Sequence, residues 1–281
     1  KVPYGTWIIR EIESPKGYVL SEEEIAVTIG KVDEVVEIEL VNYFIKGNIA
    51  LTKVDEDYPD NKLSGAVFEV YSDTNGNGKL DKDDTLLGEM KELDGGVYQM
   101  SELRYGKYLV KETKAPTGFV LDENVYAVSI EENGKTYTVE NKAGVGFINA
   151  AQKGSLKIVK TSSDGKVEGF SFRVTGVDYD QTFKTDKNGE IVIEGLRIGD
   201  YTVSEVSDKA SAGYILPADK QVTVKVNATA IVQMHNEFRD TPKTGDDFNL
   251  GLWVSLAALS VVGAGVLGFV GYKNRKKKKE D

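Results

Sequence analysis

YGKYLVKETKAPTGFVL, residues 105–121, decides the fold, because the chain writes it three times. YGTWIIREIESPKGYVL fills 4–20 and IGDYTVSEVSDKASAGYIL fills 198–216. Each copy puts aromatic and β-branched residues on alternate positions and then breaks at Pro or Gly, the pattern of a strand running into a turn. Repetition on this scale means one structural unit used again and again. Further motifs recur around it: KGNIALTKVD (46–55) with KGSLKIVKTS (153–162), LSGAVFEVY (63–71) with VEGFSFRV (167–174), and LRYGKY (103–108) with LRIGDY (196–201). The chain therefore divides into the back half of one unit (1–46), a full unit (47–152), a second full unit (153–239) and a C-terminal remainder.

The units read as all-β. IAVTI, FEVY, YLVKE, YAVSI, TYTVE, IVIEG and VTVKV are short and rich in β-branched or aromatic residues, with Asn-Gly and similar turns such as EENGKTY and TDKNGEI between them. Units of this size and pattern predict tandem antiparallel β-sandwiches. Strand alternation then fixes which residues share a face. Lys53 falls in line with Ile49 and Leu51, and Lys160 with Leu156 and Ile158. Glu11 follows Trp7 and Ile9, Glu112 follows Tyr108 and Val110, and Glu205 follows Tyr201 and Val203. In the closing strands Asn42 lines up with Ile38 and Leu40, and Asn236 with Val232 and Met234. A lysine, a glutamate and an asparagine are thus aimed at the core, where an unpaired charge costs several kcal/mol, on the order of 3 or more. A buried ion pair explains one such trio. It explains poorly why the spacing from Glu11 to Asn42 returns unchanged from Glu205 to Asn236.

At Lys53-Val54-Asp55, the box YLVKETKAPTGF and the closing Asn, the chain resembles the Cna-B repeats of Gram-positive adhesins and pilins, over residues 1 to about 239. The resemblance implies a transthyretin-like, seven-stranded sandwich and a self-formed Lys–Asn isopeptide bond assisted by Glu112, Glu205 and Glu11. Desolvation supports that chemistry, since it favours a neutral, nucleophilic amine and a protonated carboxyl. Such a reaction runs once, so the chain is not expected to be an enzyme.

Two ways of counting disagree on the partner of Lys53. Asn149 precedes Lys160 by the same interval at which Asn42 precedes Lys53. Asn141 matches the hairpin instead, following Tyr126 at the interval at which Asn236 follows Gln221. The bond lies within one unit, so the hairpin count selects Asn141, with Asn149 as the alternative. Lys160 pairs with Asn236 in the next unit, and Asn42 is the closing asparagine of the first.

The stretch from Lys53 to Glu112 is longer than that from Lys160 to Glu205, and the excess falls at DTNGNGKLDKDD (73–84). Asp73, Asn75, Asn77, Asp81 and Asp84 occupy the oxygen-ligand positions of a calcium loop, and Lys79 stands where a backbone carbonyl would serve. The stretch resembles an EF-hand or dockerin loop with Asp at its last position. It reads equally as an Asx-rich hairpin turn, so calcium stands as one of two readings; no other cofactor is expected.

The remainder supplies an address. Residues 250–272 are uncharged and mainly apolar, a run long enough for a helix to span a bilayer. Trp253 and Tyr272 sit at its edges, and residues 273–281, KNRKKKKED, form a basic tail that marks the cytoplasmic side. In front stands Thr241-Pro242-Lys243-Thr244-Gly245. Motif, span and basic tail in this order resemble the sorting signal of sortase substrates, with Thr in place of the family's usual Leu. The resemblance implies cleavage after Thr244 and transfer of Thr244 to peptidoglycan, the membrane serving as a transient anchor.

Composition narrows the rest. Net charge is −10, and with the tail (six basic, two acidic) set aside residues 1–272 carry −14, which argues against nucleic acid as a partner. There is no Cys to staple an exported chain, and the single His235 cannot build a histidine triad or zinc site. The opening KVPYGTW lacks a signal peptide, so the chain is expected to be the C-terminal part of something longer. The reading is a cell-wall stalk on the extracellular surface, lifting an N-terminal region that would bind any host matrix ligand. The alternatives are a pilus subunit and the stalk of an exported enzyme.

Overall fold

The computed structural model describes residues 2–239; the sorting motif at 241–245, the apolar segment 250–272 and the tail lie outside the described residues. Every regular element among the described residues is a strand, and none is a helix long and apolar enough to cross a membrane.

The first segment contributes β1 (Gly5–Arg10) and β2 (Glu24–Ile29), an antiparallel pair. The unit that follows holds β3 (Lys46–Asp55), β4 (Val67–Ser72), β5 (Thr85–Glu89), β6 (Lys91–Glu92), β7 (Val97–Arg104), β8 (Gly106–Lys114), β9 (Val125–Ile130), β10 (Thr136–Thr138) and β11 (Phe147–Asn149). One of its sheets runs β10-β3-β7-β6 with β11 also on β3, and the other runs β5-β4-β8-β9. The next unit holds β12 (Lys153–Ser162), β13 (Ser171–Gly176), β14 (Tyr179–Lys184), β15 (Glu190–Arg197), β16 (Gly199–Val206), β17 (Tyr214–Ile215), β18 (Lys220–Val224) and β19 (Thr229–Phe238). Its sheets are β15-β12-β19-β17 and β14-β13-β16-β18.

Each pair of sheets closes on one core, as alternating apolar strands require. Ile49, Leu51, Phe68, Val70, Val110 and Phe147 fill the first, with Phe68 edge-on to both Tyr98 and Phe147. Leu156, Ile158, Phe172, Val174, Val203 and Met234 fill the second. Tyr108 and Tyr201 each tie their strand to the preceding turn, donating from the hydroxyl to the carbonyls of Arg104 and Arg197 at 2.6 and 2.8 Å.

The wholly antiparallel arrangement expected from the sequence needs correction. First and last strands of each unit pair in parallel, β3 with β10 and β11, and β12 with β19. They enter the sheet from opposite ends of the unit's chain, so no hairpin constrains them to run antiparallel. The first segment also departs from expectation. Ile38, Leu40 and Asn42 form no strand, and Trp7 is 42% exposed where the alternation pointed it inward.

Consecutive units meet at a repeated joint. In one, Ile45 N–H donates to Gly17 O and Tyr105 N–H to Ile45 O. In the other, Gln152 N–H donates to Gly118 O and Ile198 N–H to Gln152 O. The arginine of the LR motif faces this seam both times. Arg104 lies 3.9 Å over the Phe44 ring. Arg197 forks onto Asp55 at 2.6 and 2.8 Å and reaches Asp57 at 3.0 Å.

Candidate functional site: a buried lysine, glutamate and asparagine

Lys53 closes the repeated KGNIALTK stretch and lies on the inward face of β3, wholly buried. Its backbone N–H donates to Gly96 O at 2.7 Å. Gly96 has φ +80°, and a Cβ there would meet Leu63 N at 2.8 Å, so only glycine lets the turn pass so close to residues 62–63. Lys160 repeats the device with Gly189, whose carbonyl accepts the Lys160 N–H at 2.7 Å and whose Cβ would meet Lys160 O at the same distance.

Glu112 comes in from β8 on the opposite sheet and is also wholly buried. Its Oε1 lies 3.6 Å from Lys53 Nζ, and Asn149 Nδ2 donates to both of its oxygens at 2.9 Å. Asp122 N–H donates to Oε2 at 2.8 Å. Lys53 Nζ further donates to Phe147 O at 3.2 Å and lies 4.7 Å over the Phe147 ring. Burial pulls the Lys53 amine down from its ordinary 10.5 to about 8, against the opposing pull of Glu112. At about 8 the neutral amine is still the minor form at pH 7, but far commoner than for an ordinary lysine.

The second unit gathers the same residue types. Lys160 is buried 4.3 Å over the Phe170 ring and donates to Thr161 O. Asn236 Nδ2 donates to Glu205 Oε1 at 2.6 Å. Burial raises the Glu205 carboxyl, opposed by the Asn236 hydrogen bond and the Lys160 charge, and it lowers the Lys160 amine. In the first segment Asn42 Nδ2 donates to Glu11 Oε1 at 2.7 Å and Ser21 N–H to Glu11 Oε2 at 2.8 Å, with Glu11 and Asn42 both half-buried.

The structure brings Asn149, not Asn141, to Glu112, which lies beside Lys53. The parallel register sets Phe147 opposite Lys53 and Asn149 opposite Asp55. In the next unit Met234 stands opposite Lys160 and Asn236 opposite Ser162. Each asparagine therefore lies two positions beyond its lysine on the neighbouring strand, a diagonal that a long side chain can cross. The hairpin count leads to Asn141 instead because the closing strand of residues 47–152 leaves the sheet between β10 and β11. The sequence separation of Glu112 and Asn149 is consequently 37, where the other two pairs keep 31. The interval from Asn149 to Lys160 agrees with this placement, because the joint after the closing strand keeps its length.

Both site amides leave Oδ1 buried without a hydrogen-bond partner, as does Glu205 Oε2. An orphaned buried acceptor costs about 1–3 kcal/mol, which a finished structure seldom tolerates twice in matching places. Chemically, each cluster offers an amine with a lowered pKa, an amide carbonyl with its oxygen free, and a carboxyl in contact with the amide.

The 73–84 loop is held by its own side chains. Asp73 accepts from Asn77 and Gly78 N–H at 3.1 and 3.0 Å. Asp84 accepts from Thr74 and Asp81 N–H at 3.1 and 2.9 Å. Asn75 and Asn77 both donate to Asp81 Oδ2. Among the described residues no three His, Cys, Asp or Glu side chains converge as a metal cage would. Lys79 gives its N–H to Asn77 Oδ1 at 2.7 Å.

Comparison with known proteins bears on the fold. The model of a family described as SpaA, prealbumin-like fold domain, matches residues 1–43, 47–143 and 154–238. The Bacillus anthracis TIE protein is similar in structure, with 28% identity, a TM-score of 0.64, and 84% of this chain covering 42% of that one. This chain thus spans less than half the length of that protein. GBS52, the minor pilin of Streptococcus agalactiae, aligns at 17% identity and TM-score 0.32, over 72% of this chain and 100% of its own. The D295N mutant of the shaft pilin SpaA of Lactobacillus rhamnosus GG aligns at 14% and 0.33, over 68% and 98%. No curated protein matches in sequence.

Proposed function

The chain belongs to the SpaA prealbumin-like fold domain family, and from that premise we propose that it is a covalently stiffened stalk on the surface of a Gram-positive cell. The observation that carries this reading is the lysine, glutamate and asparagine trio, buried at the same diagonal register in both full units. Neutral Lys Nζ attacks Asn Cγ. The Nζ–Cγ bond forms and the Cγ–Nδ2 bond breaks. One amine hydrogen passes through the glutamate to Nδ2, which leaves as ammonia. With the amide turned so that Oδ1 meets the carboxyl, a protonated glutamate donates to the oxygen on which charge develops. The core holds both reactants at high effective concentration, and a neutral amide replaces a costly buried charge pair. The bonds are Lys53–Asn149 and Lys160–Asn236.

The load path follows from the parallel pairing. Tension enters each unit at the N-terminal end of its first strand and leaves at the C-terminal end of its last. Parallel neighbours pulled this way slide along each other, and a bond between them blocks the slide. Arg197 on Asp55 and Asp57, with Lys153 Nζ 3.1 Å from Asp57, braces the seam between units at the end of the same strand. In this reading Thr244 is the wall attachment point, made by a sortase acting on Thr241 to Gly245, with residues 250–272 as the transient anchor. Any ligand belongs to an upstream region.

Stretching single molecules tests the stalk. Wild type is expected to extend little at forces that open ordinary β-sandwiches, and Lys53→Ala to add one full unfolding step from its unit. Equal extension in both overturns the reading. For the anchor, Gly245→Ala is expected to move the protein from peptidoglycan to membrane and medium; retention on detergent-washed wall fragments overturns that part alone.

A further inference from the structure

The detour that separates β10 from β11 has a side chain at its base that the proposed bond does not use. Asn141 Oδ1 accepts from Ile148 N–H at 2.6 Å, and Asn141 Nδ2 donates to Ile148 O at 2.9 Å. Both backbone groups of Ile148 are thus bound by one side-chain amide, much as a neighbouring strand would bind them. Ile148 immediately precedes Asn149, which ends the short β11, a strand of only three residues.

Asn141 is itself held. Its Nδ2 donates to Asp122 Oδ2 at 2.8 Å, an oxygen that also accepts from the Tyr126 hydroxyl at 2.6 Å. Burial would raise the Asp122 carboxyl, yet donors on Tyr126, Asn141 and Asn124 hold it below its ordinary value. Asp122 is therefore an anionic anchor. The backbone of the same residue donates to Glu112 Oε2. One residue thus touches the glutamate through its N–H and the asparagine strand through Asn141. The Tyr126 ring completes the frame, edge-on to Phe147 at 5.1 Å.

We propose that Asn141 and Asp122 are positioning residues for the Lys53–Asn149 bond: Asp122 orients Glu112 and Asn141, and Asn141 sets Asn149 against both reactants by holding Ile148. The proposal rests on the bond-forming reading above. The next unit has no need of the pair, because β19 runs unbroken through Asn236 and the sheet itself fixes the register. The detour removes that support from residues 47–152, and the Asp122–Asn141 bridge restores it.

The test follows the branched Lys53–Asn149 peptide in digests of the full chain, sampled over time after cell-free synthesis in detergent. Wild type is expected to form it, and Asn141→Ala to form it roughly ten- to a hundredfold more slowly per folded molecule, the scale of a small misplacement of reacting groups. The Lys160–Asn236 peptide in the same digest should keep its wild-type rate. A residue that only stabilised the fold would change the folded fraction and leave the rate per folded molecule alone. A wild-type rate in Asn141→Ala overturns the positioning role while leaving the bond. No branched peptide in wild type, or one branched at Asn141, overturns the bond itself as drawn. Should Asn141→Ala fail to fold, Asn141→Asp serves: it keeps an acceptor for Ile148 N–H and sets a second carboxylate against Asp122. Slowed branching is expected, and the wild-type rate would overturn the proposal.

Discussion

The two full units reach the same register by different routes. In residues 153–239 a ten-residue closing strand delivers Asn236 by unbroken sheet pairing, whereas in 47–152 the strand breaks and side chains restore the alignment. The support of the glutamate differs in the opposite sense. Glu112 Oε2 takes the N–H of Asp122, as Glu11 takes that of Ser21 at the same spacing. The equivalent position in the second full unit is Pro217, which has no N–H to give, and Glu205 Oε2 is left buried and unpartnered. The turn SDKASAGY is two residues longer than the Pro-containing turn of the other copies and is followed by Pro217. Lys160 correspondingly turns to Thr161 O, while Lys53 lies within ion-pair distance of Glu112. Register is the constant of the fold, and the hold on the carboxyl is what varies.

The largest effect that sharpens this contrast is loss of a bond. Glu112→Ala and Glu205→Ala should each remove the stabilisation of a closed loop, about 4 kcal/mol by analogy with a disulfide of that length, seen as a lower denaturation midpoint confined to the altered unit. The better-held Glu112 also predicts that, in newly made protein, the first full unit completes its bond before the second. Simultaneous completion would mean that the Asp122 N–H contributes little.

Next in size is the joint. Arg197→Ala strands Asp55, which is 2% exposed, next to Asp57. A loss of about 1–3 kcal/mol is expected, read as faster proteolysis at the seam near Lys153 with both bonds intact. Unchanged cleavage would show that the backbone hydrogen bonds suffice.

The pH response should be smaller and has a definite sign. Asn149→Ala keeps Lys53 as a titrating amine, at about 8 when folded and 10.5 when unfolded. Between those values the unfolded chain holds a proton that the folded chain lacks, so raising the pH favours folding. Below about 8 the full cost of burying the amine persists. With the proposed bond formed, Lys53 of wild type would no longer titrate. The stability gap between wild type and Asn149→Ala should therefore narrow from about pH 8 to 10.5, and a constant gap would contradict the burial cost assigned to Lys53.

Much of this was legible in the sequence because strand alternation is strict. It placed Lys53, Glu112, Lys160, Glu205 and Asn236 in the core without coordinates. It could not see that β3 and β12 lie beside the closing strands in parallel, since pairing direction leaves no mark on alternation. Nor could it place Asn149. The run NKAGVGFIN holds two asparagines, and a strand that leaves and rejoins its sheet has no periodicity of its own. Asp122 escaped notice for a different reason: its contact with Glu112 is made by a backbone N–H, which any residue but proline supplies. Trp7 and the segment 38–42 follow the expected pattern in sequence, yet Trp7 is exposed and 38–42 forms no strand.

The most direct test is the intact mass of the folded chain. Two isopeptide bonds require a mass short of the sequence value by two molecules of ammonia, with Glu112→Ala and Glu205→Ala each restoring one. The full sequence mass in folded wild type would contradict both bonds.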